Sequence, residues 1–142
     1  MVRFVTSFSG KHYDIYAKKM LESVVKHWAD DLKLIVYYDT VTEEQKEDFP
    51  KSPIIEYRDL DEVEDRAIFL DKMKGYDGTS NGQMPYDFRM DALRFCHKVY
   101  ALTDYFLEVS ENEAKGGWLI WMDADVLTTS PLSEEILFQA FP

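Results

Sequence analysis

Apolar positions along the chain alternate between short continuous runs and longer stripes spaced by three and four residues. The run VRFVTSF at 2–8 is rich in β-formers and is broken by Ser9 and Gly10, which predicts a first strand. From Lys11 the period changes: Tyr13, Ala17, Met20, Leu21, Val24 and Trp28 share one face, and Lys18, Lys19, Glu22 and Lys26 fall outside it. That pattern predicts an amphipathic helix closed by Asp30 and Asp31. The run LKLIVYY at 32–38 predicts a second strand ending at Asp39 and Thr40. Strand, helix and strand in this order form a right-handed βαβ unit with parallel strands.

Residues 43–48 read as a short charged helix closed by Pro50, and PIIEY at 53–57 as a brief third strand leading into Arg58 and Asp59. A helical period returns over 61–73. The segment 74–85 holds Gly75, Gly78, Gly82 and Pro85 among polar residues, which predicts a mobile surface loop placed to close over a ligand. A long helix follows over 86–107, with Ala92, Phe95, Cys96, Val99, Leu102 and Phe106 assigned to its core face. A polar link at 110–115, then Gly116 and Gly117, lead to the most apolar strand, WLIWM, which runs directly into Asp123, Ala124 and Asp125.

The fold class expected is α/β, with a mostly parallel sheet covered by helices on both faces, as one domain over 1–142. Ligands of such sheets bind beyond the carboxyl ends of the strands, where strand order reverses. Thr6, Ser7, Asp39, Arg58, Asp59, Asp123 and Asp125 are therefore expected along one edge.

Composition narrows the choice. With 142 residues, 46% of them apolar, one core can be buried without disulfides, and the single cysteine, Cys96, excludes an internal disulfide framework. Sixteen Lys and Arg against 27 Asp and Glu give a net charge of −11, which opposes binding to nucleic acid. No apolar stretch is long enough for a membrane span and the chain start is too polar for a signal peptide, so a soluble, cytoplasmic protein is expected. His12, His27 and His97 are assigned to surfaces and helix faces.

Asp123 and Asp125 follow an apolar strand and flank a small residue, which presents two carboxylates with room for a ligand between them. Magnesium and manganese prefer such oxygen ligands and complete their shells with water and phosphate. Capping of a following turn explains the same residues equally well. Upstream, Asp87, Asp91, Arg94 and Lys98 are spaced by four, three and four residues, which places them on one polar helix stripe. A solvated ladder of ion pairs accounts for that spacing too.

The ordered series Asp91-x-x-Arg94, Gly116-Gly117 and WLIWMDADV resembles the nucleotide-sugar half of GT-A-type glycosyltransferases, in which Asp-x-Asp follows the fourth strand. FVTSFS before a helix and a second strand ending YYD are similar to the nucleotide-binding start of that family. The resemblance implies a Rossmann-like GT-A half that takes a UDP-sugar or GDP-sugar donor and transfers the sugar to an acceptor of undefined identity. Asp123 and Asp125 would hold Mn2+ or Mg2+ against the donor diphosphate. Thr6, Ser7 and Phe8 would lie along the nucleoside, and Asp39 would accept a hydrogen bond from base or ribose. Asp91 and Arg94 would orient the sugar and phosphate, with Lys98 as a point charge.

Two departures from the family pattern stand out: a lengthened link over 107–115 and the ending at Pro142, where GT-A enzymes continue into an acceptor half. The chain is accordingly expected to be the N-terminal part of a longer glycosyltransferase, with the 142 residues alone inactive in transfer. Two other classes fit parts of the pattern. A non-catalytic nucleotide-binding α/β module needs only the donor residues. A haloacid dehalogenase-type phosphatase has an Asp-x-Asp strand followed by threonines such as Thr128 and Thr129.

Overall fold

A computed structural model describes residues 2–80, 82–112 and 117–141, with the side chains of 111 and 112 excepted. Gly116 and most of the expected 110–115 link, from 113 onward, lie outside the described residues, as do Asn81 and Pro142.

Four strands, β1 (Val2–Ser9), β2 (Leu32–Asp39), β3 (Ile55–Asp59) and β4 (Trp118–Trp121), form one sheet in the order β3-β2-β1-β4. Every pairing is parallel. The chain moves outward from β1 to β2 and β3, then crosses back to place β4 on the other side of β1, so strand order reverses between β1 and β4. The connections from β1 to β2 and from β2 to β3 cover one face, and the connection from β3 to β4 covers the other. On one face α1 (Gly10–His12), a π-helical stretch (Tyr13–Ala17), α2 (Lys18–His27), α3 (Glu43–Asp48) and α6 (Glu134–Ala140) surround Phe4, Leu34 and Val36. On the other, a 3-10 turn (Leu60–Glu62), α4 (Glu64–Lys72) and α5 (Ala92–Asn112) cover Val5, Ile35 and Tyr37. The alternation of Phe4 and Val5 between these cores is the period-two pattern of a strand buried on both sides. This is the expected Rossmann-like α/β arrangement. No helix among the described residues is long and apolar enough to cross a membrane.

Local chemistry explains several boundaries. Thr42 and Gln45 form a reciprocal capping box that starts α3. Asp59 accepts from the Asp61 amide, so a 3-10 turn precedes α4 where a single helix over 61–73 is expected from the period. The Ser133 hydroxyl accepts from the Ile136 amide and caps the start of α6.

The long helix corrects the sequence reading in two respects. Its core face is built on Ala101 and Tyr105, and Phe95, Val99 and Phe106 are more than half or half exposed, at 50%, 58% and 57%. Ala101 and Tyr105 share a buried cluster with Val5, Ile35 and Tyr37, Leu102 packs against it and Cys96 is buried as expected, while the side that carries Phe95, Val99 and Phe106 turns outward. Asp87 and Asp91 also precede α5. Asp87 caps a 3-10 turn (Phe88–Met90) and pairs with Arg89 at 2.8 Å, and Asp91 accepts from the Arg94 amide at the α5 start. Only Arg94 and Lys98 of the expected four-residue stripe lie on the helix.

The β1 to α1 junction has no loop. Gly10 is buried, and a Cβ added there would collide with the Thr40 carbonyl oxygen at the end of β2. The Gln45 amide donates to the Gly10 carbonyl at 3.1 Å and so fixes the same corner. Gly10→Ala is expected to destabilise the chain by about 1–3 kcal/mol, read as a lowered urea midpoint with unchanged slope.

Candidate functional site

Beyond the carboxyl ends of β1, β2 and β4 lies a cleft of about 930 Å³. It occupies the strand-order reversal, the position from which such sheets bind ligands. Ser7, Phe8, Asp39, Asp91, Arg94, Lys98, Asp123 and Asp125 all border it. The fold therefore brings together eight of the nine residues singled out for the site.

The exception is Thr6, which is fully buried within β1 with no hydrogen-bond partner for Oγ1, so it does not reach the cleft. Phe8 borders the cleft, but its ring is 5% exposed and packs against Tyr13 and Phe49, at 5.7 and 5.9 Å between centroids. Its part is structural. Arg58 and Asp59 lie at the carboxyl end of β3, on the expected edge, but they do not border the cleft. Arg58 is held in a two-point pair with Glu108, at 2.6 and 3.0 Å, and Asp59 caps the 3-10 turn.

At the end of β4, Ala124 is buried while Asp123 and Asp125 are exposed on either side. The small buried residue anchors the turn and leaves both carboxylates facing outward. Asp123 Oδ1 accepts from the Trp121 indole at 2.5 Å, whereas Asp125 has no hydrogen bond or ion pair with any described residue. Opposite them stand Lys11, Arg94 and Lys98, none within salt-bridge distance of a carboxylate among the described residues. Lys98 instead lies over the Trp121 ring, 4.8 Å from its centroid. These three cations face four carboxylates, Asp39, Asp91, Asp123 and Asp125, in the same cleft, so the lining is close to balanced in charge within a strongly acidic chain.

Sequence reasoning missed much of the cleft. His12 and Tyr16 stack at 5.3 Å with rings 15° apart, and Ser9 Oγ lies 2.9 Å from His12 Nδ1. The intervening π-helical stretch widens the turn that carries Tyr16. Burial, then Lys11 and Arg94, push the His12 pKa down, so its ring is neutral at neutral pH. Burial, then Asp125, which borders the same cleft, pushes the Tyr16 phenol up.

Beneath the cleft, Arg66 is 3% exposed and joins four partners: Asp39 Oδ2 at 3.3 Å, Asp61 Oδ1 at 2.6 Å, the Leu60 carbonyl at 3.3 Å and His97 Nδ1 at 3.1 Å. His97 is thus a cleft residue, contrary to its assignment to a helix surface. No local spacing links Arg66 to Asp39 and His97, because the three come from α4, β2 and α5. His27 lies at the end of α2, away from the cleft.

The segment 74–85 is tied to the cleft rim. The Asp87 amide donates to the Gly78 carbonyl at 2.8 Å, the Ala92 amide donates to the Tyr76 carbonyl at 2.9 Å, and the Tyr86 hydroxyl donates to Asp91 at 2.9 Å.

A metal fits this donor set in one specific way. Among the described residues no group of three or more His, Cys, Asp and Glu could hold an ion by itself. Two exposed carboxylates at one strand end, one of them unpartnered, suit Mg2+ or Mn2+, which retain waters and take further oxygens from phosphates. No protein-family model matches the chain, and no curated protein is significantly similar to it.

Proposed function

We propose that the cleft binds a nucleotide-sugar donor, UDP-linked or GDP-linked, with Mn2+ or Mg2+, and that the protein belongs to a GT-A-type glycosyltransferase. The observation that carries this reading is that one cleft at the β1/β4 reversal is lined by two strand-end carboxylates, Asp123 and Asp125, and by Lys11, Arg94 and Lys98, none of which forms a salt bridge with a described carboxylate. The bound ion would neutralise negative charge on the diphosphate as the glycosidic bond breaks. Asp125 and the free oxygen of Asp123 would hold that ion, with Trp121 fixing the orientation of Asp123. Arg94 donates to phosphate oxygens through its planar guanidinium, and Lys11 and Lys98 add point charges. The His12–Tyr16 stack and Ser7 form the wall along which a nucleoside lies.

Calorimetric titration of the chain with uridine and guanosine diphosphates tests the reading. Heat that requires manganese and disappears on chelation supports it, and the nucleotide giving that heat names the donor base. Absence of manganese-dependent heat with both contradicts it. Binding of the diphosphate without any sugar release from the matching nucleotide sugar favours a binding module that does not turn over. Trypsin cleavage at Lys74 is also expected to slow on adding manganese and the diphosphate, because the 74–85 segment is joined to Asp91 and Arg94 through Tyr86. Identical cleavage with and without ligand would remove this segment from closure.

A further inference from the structure

The sheet ends on one side at β4, and among the described residues no strand pairs with its outer edge. The Met122 amide donates to the Val5 carbonyl, toward β1, so strand alternation turns the amides and carbonyls of Leu119 and Trp121 to the free side. Unpaired edge groups of this kind template a further strand.

The helix above that edge is apolar on the matching side. Lys98 of α5 lies over the Trp121 ring, whereas Asp104 and Glu108 reach Arg58 of β3, and Tyr100 packs on Phe69 of α4 at 5.6 Å between centroids. At 3.6 residues per turn, Phe95, Val99, Leu102 and Phe106 follow Lys98 round the helix on the side away from α4, so they overhang β4. Phe95, Val99 and Phe106 are at least half exposed, and so is Trp118 at the start of β4, at 54%.

Strand and helix share one centre. α5 runs down the sheet from the cleft, where Arg94 lies, so levels can be matched from the contact of Lys98 with Trp121. Ile120 is one strand residue lower, about 3.3 Å, which is about two residues along α5 and reaches the level of Tyr100. The apolar stripe is centred there too, midway between Phe95 and Phe106. A two-fold axis normal to the sheet through Ile120 therefore serves both layers. It sets Leu119 opposite Trp121 of the second copy, where their free amides and carbonyls pair, and it sets Phe95 opposite Phe106 across two antiparallel α5 helices. A half-exposed aromatic side chain leaves about 100 Å² open, so the stripe and Trp118 offer on the order of 400–500 Å² of apolar surface per chain. With the strand edge and a polar rim, this reaches the roughly 800 Å² per partner of a stable interface.

We propose that the edge of β4 and the apolar stripe on α5 bind a second copy of this chain, joining two four-stranded sheets into one about a two-fold axis at Ile120. The axis sends the two clefts to opposite edges of the joined sheet, so neither copy covers the other's cleft. The proposal goes beyond the nucleotide-sugar reading and does not rest on it.

Sedimentation equilibrium of the chain tests it, at about 0.15 M salt, where repulsion between two chains of charge −11 is screened beyond about 8 Å. A species of twice the 16.7 kDa chain mass is expected at concentrations on the order of 1–100 μM. A monomer at every concentration overturns the proposal and leaves the β4 edge to a partner other than this chain. Phe95→Glu and Phe106→Lys, each at a half-exposed position, are expected to weaken dimerisation at least about tenfold with an unchanged far-UV circular dichroism spectrum. The two positions lie about three helical turns apart within one chain, so only the two-fold brings them together. Both changes in one chain are accordingly expected to restore the dimer in part, through opposite charges across the axis. A dimer that persists in both single variants overturns this surface, and a double variant that stays monomeric overturns the antiparallel register. Val25→Glu, exposed on α2 at the other face of the sheet, is expected to leave the dimer intact, and loss of the dimer there would overturn the assignment as well.

Discussion

Asp125→Ala is expected to weaken manganese-dependent binding of the nucleoside diphosphate by at least about a hundredfold while leaving the urea midpoint of unfolding almost unchanged. The separation follows from the position of the residue. Asp125 is exposed at the end of β4 and bonds to no described residue, so its removal costs the fold no more than about 0.5 kcal/mol. The same carboxylate is one of only two at the expected metal position, and altering groups that merely support metal ligands already costs roughly 10–100-fold in affinity. Asp123→Asn keeps an oxygen for the Trp121 indole and loses the charge, and it should fall between Asp125→Ala and the unsubstituted chain. Calorimetry beside urea denaturation checks both effects. Binding that survives Asp125→Ala unchanged would take this residue out of the site.

Arg66→Ala is expected to have the opposite signature, a loss of about 3–5 kcal/mol in unfolding free energy. Arg66 is 3% exposed, and its removal strands the largely buried Asp39 carboxylate and takes a donor from the Leu60 carbonyl, which keeps the Val63 amide, and from His97 Nδ1, which keeps only the Cys96 thiol at 3.8 Å. A domain stable by some 5–15 kcal/mol would lose a large fraction of its margin. Arg66→Met combined with Asp39→Asn should recover part of the loss, since the only carboxylate then left without Arg66 is Asp61, which is exposed to water. The pH dependence has a definite sign. The His97 pKa is lowered from 6.5 in the folded chain, so below that value the unfolded chain binds a proton that the folded chain resists. This contribution to stability is fully present above pH 6.5 and declines as pH falls through it. A single alanine change at Arg66 that left the urea midpoint in place would contradict the buried-hub account.

The strands were legible because burial on both faces writes them as nearly unbroken apolar runs: VRFVTSF and LKLIVYY became β1 and β2 within a residue. Asp39, Asp123 and Asp125 followed from the same logic, since a polar residue directly after such a run sits at a strand end. The orientation of α5 was not legible. Phe95, Val99 and Phe106 have helical spacing and apolar side chains, yet the face turned inward carries Ala101 and Tyr105, because apolar residues lie on more than one side of this helix and spacing alone does not choose between them. Thr6 was misplaced because strand alternation turns it into the core. Arg66, His12, Tyr16 and His97 join the site only through tertiary contact. A charge in the middle of EDRAIFLDK reads as a solvated helix position until Asp39 and His97 are folded against it.

Manganese relaxation in the amide NMR spectrum of the full chain tests the central claim most directly. Uridine diphosphate and guanosine diphosphate are each added at fixed manganese, and the broadened residues are mapped. The account predicts nucleotide-dependent broadening concentrated on Ser7–Ser9, on Ala124–Val126 and on the first turns of α5, because these segments enclose the cleft at the β1/β4 reversal. Broadening spread over the acidic surface, or centred away from β4 with both nucleotides, would contradict a donor site built on Asp123 and Asp125.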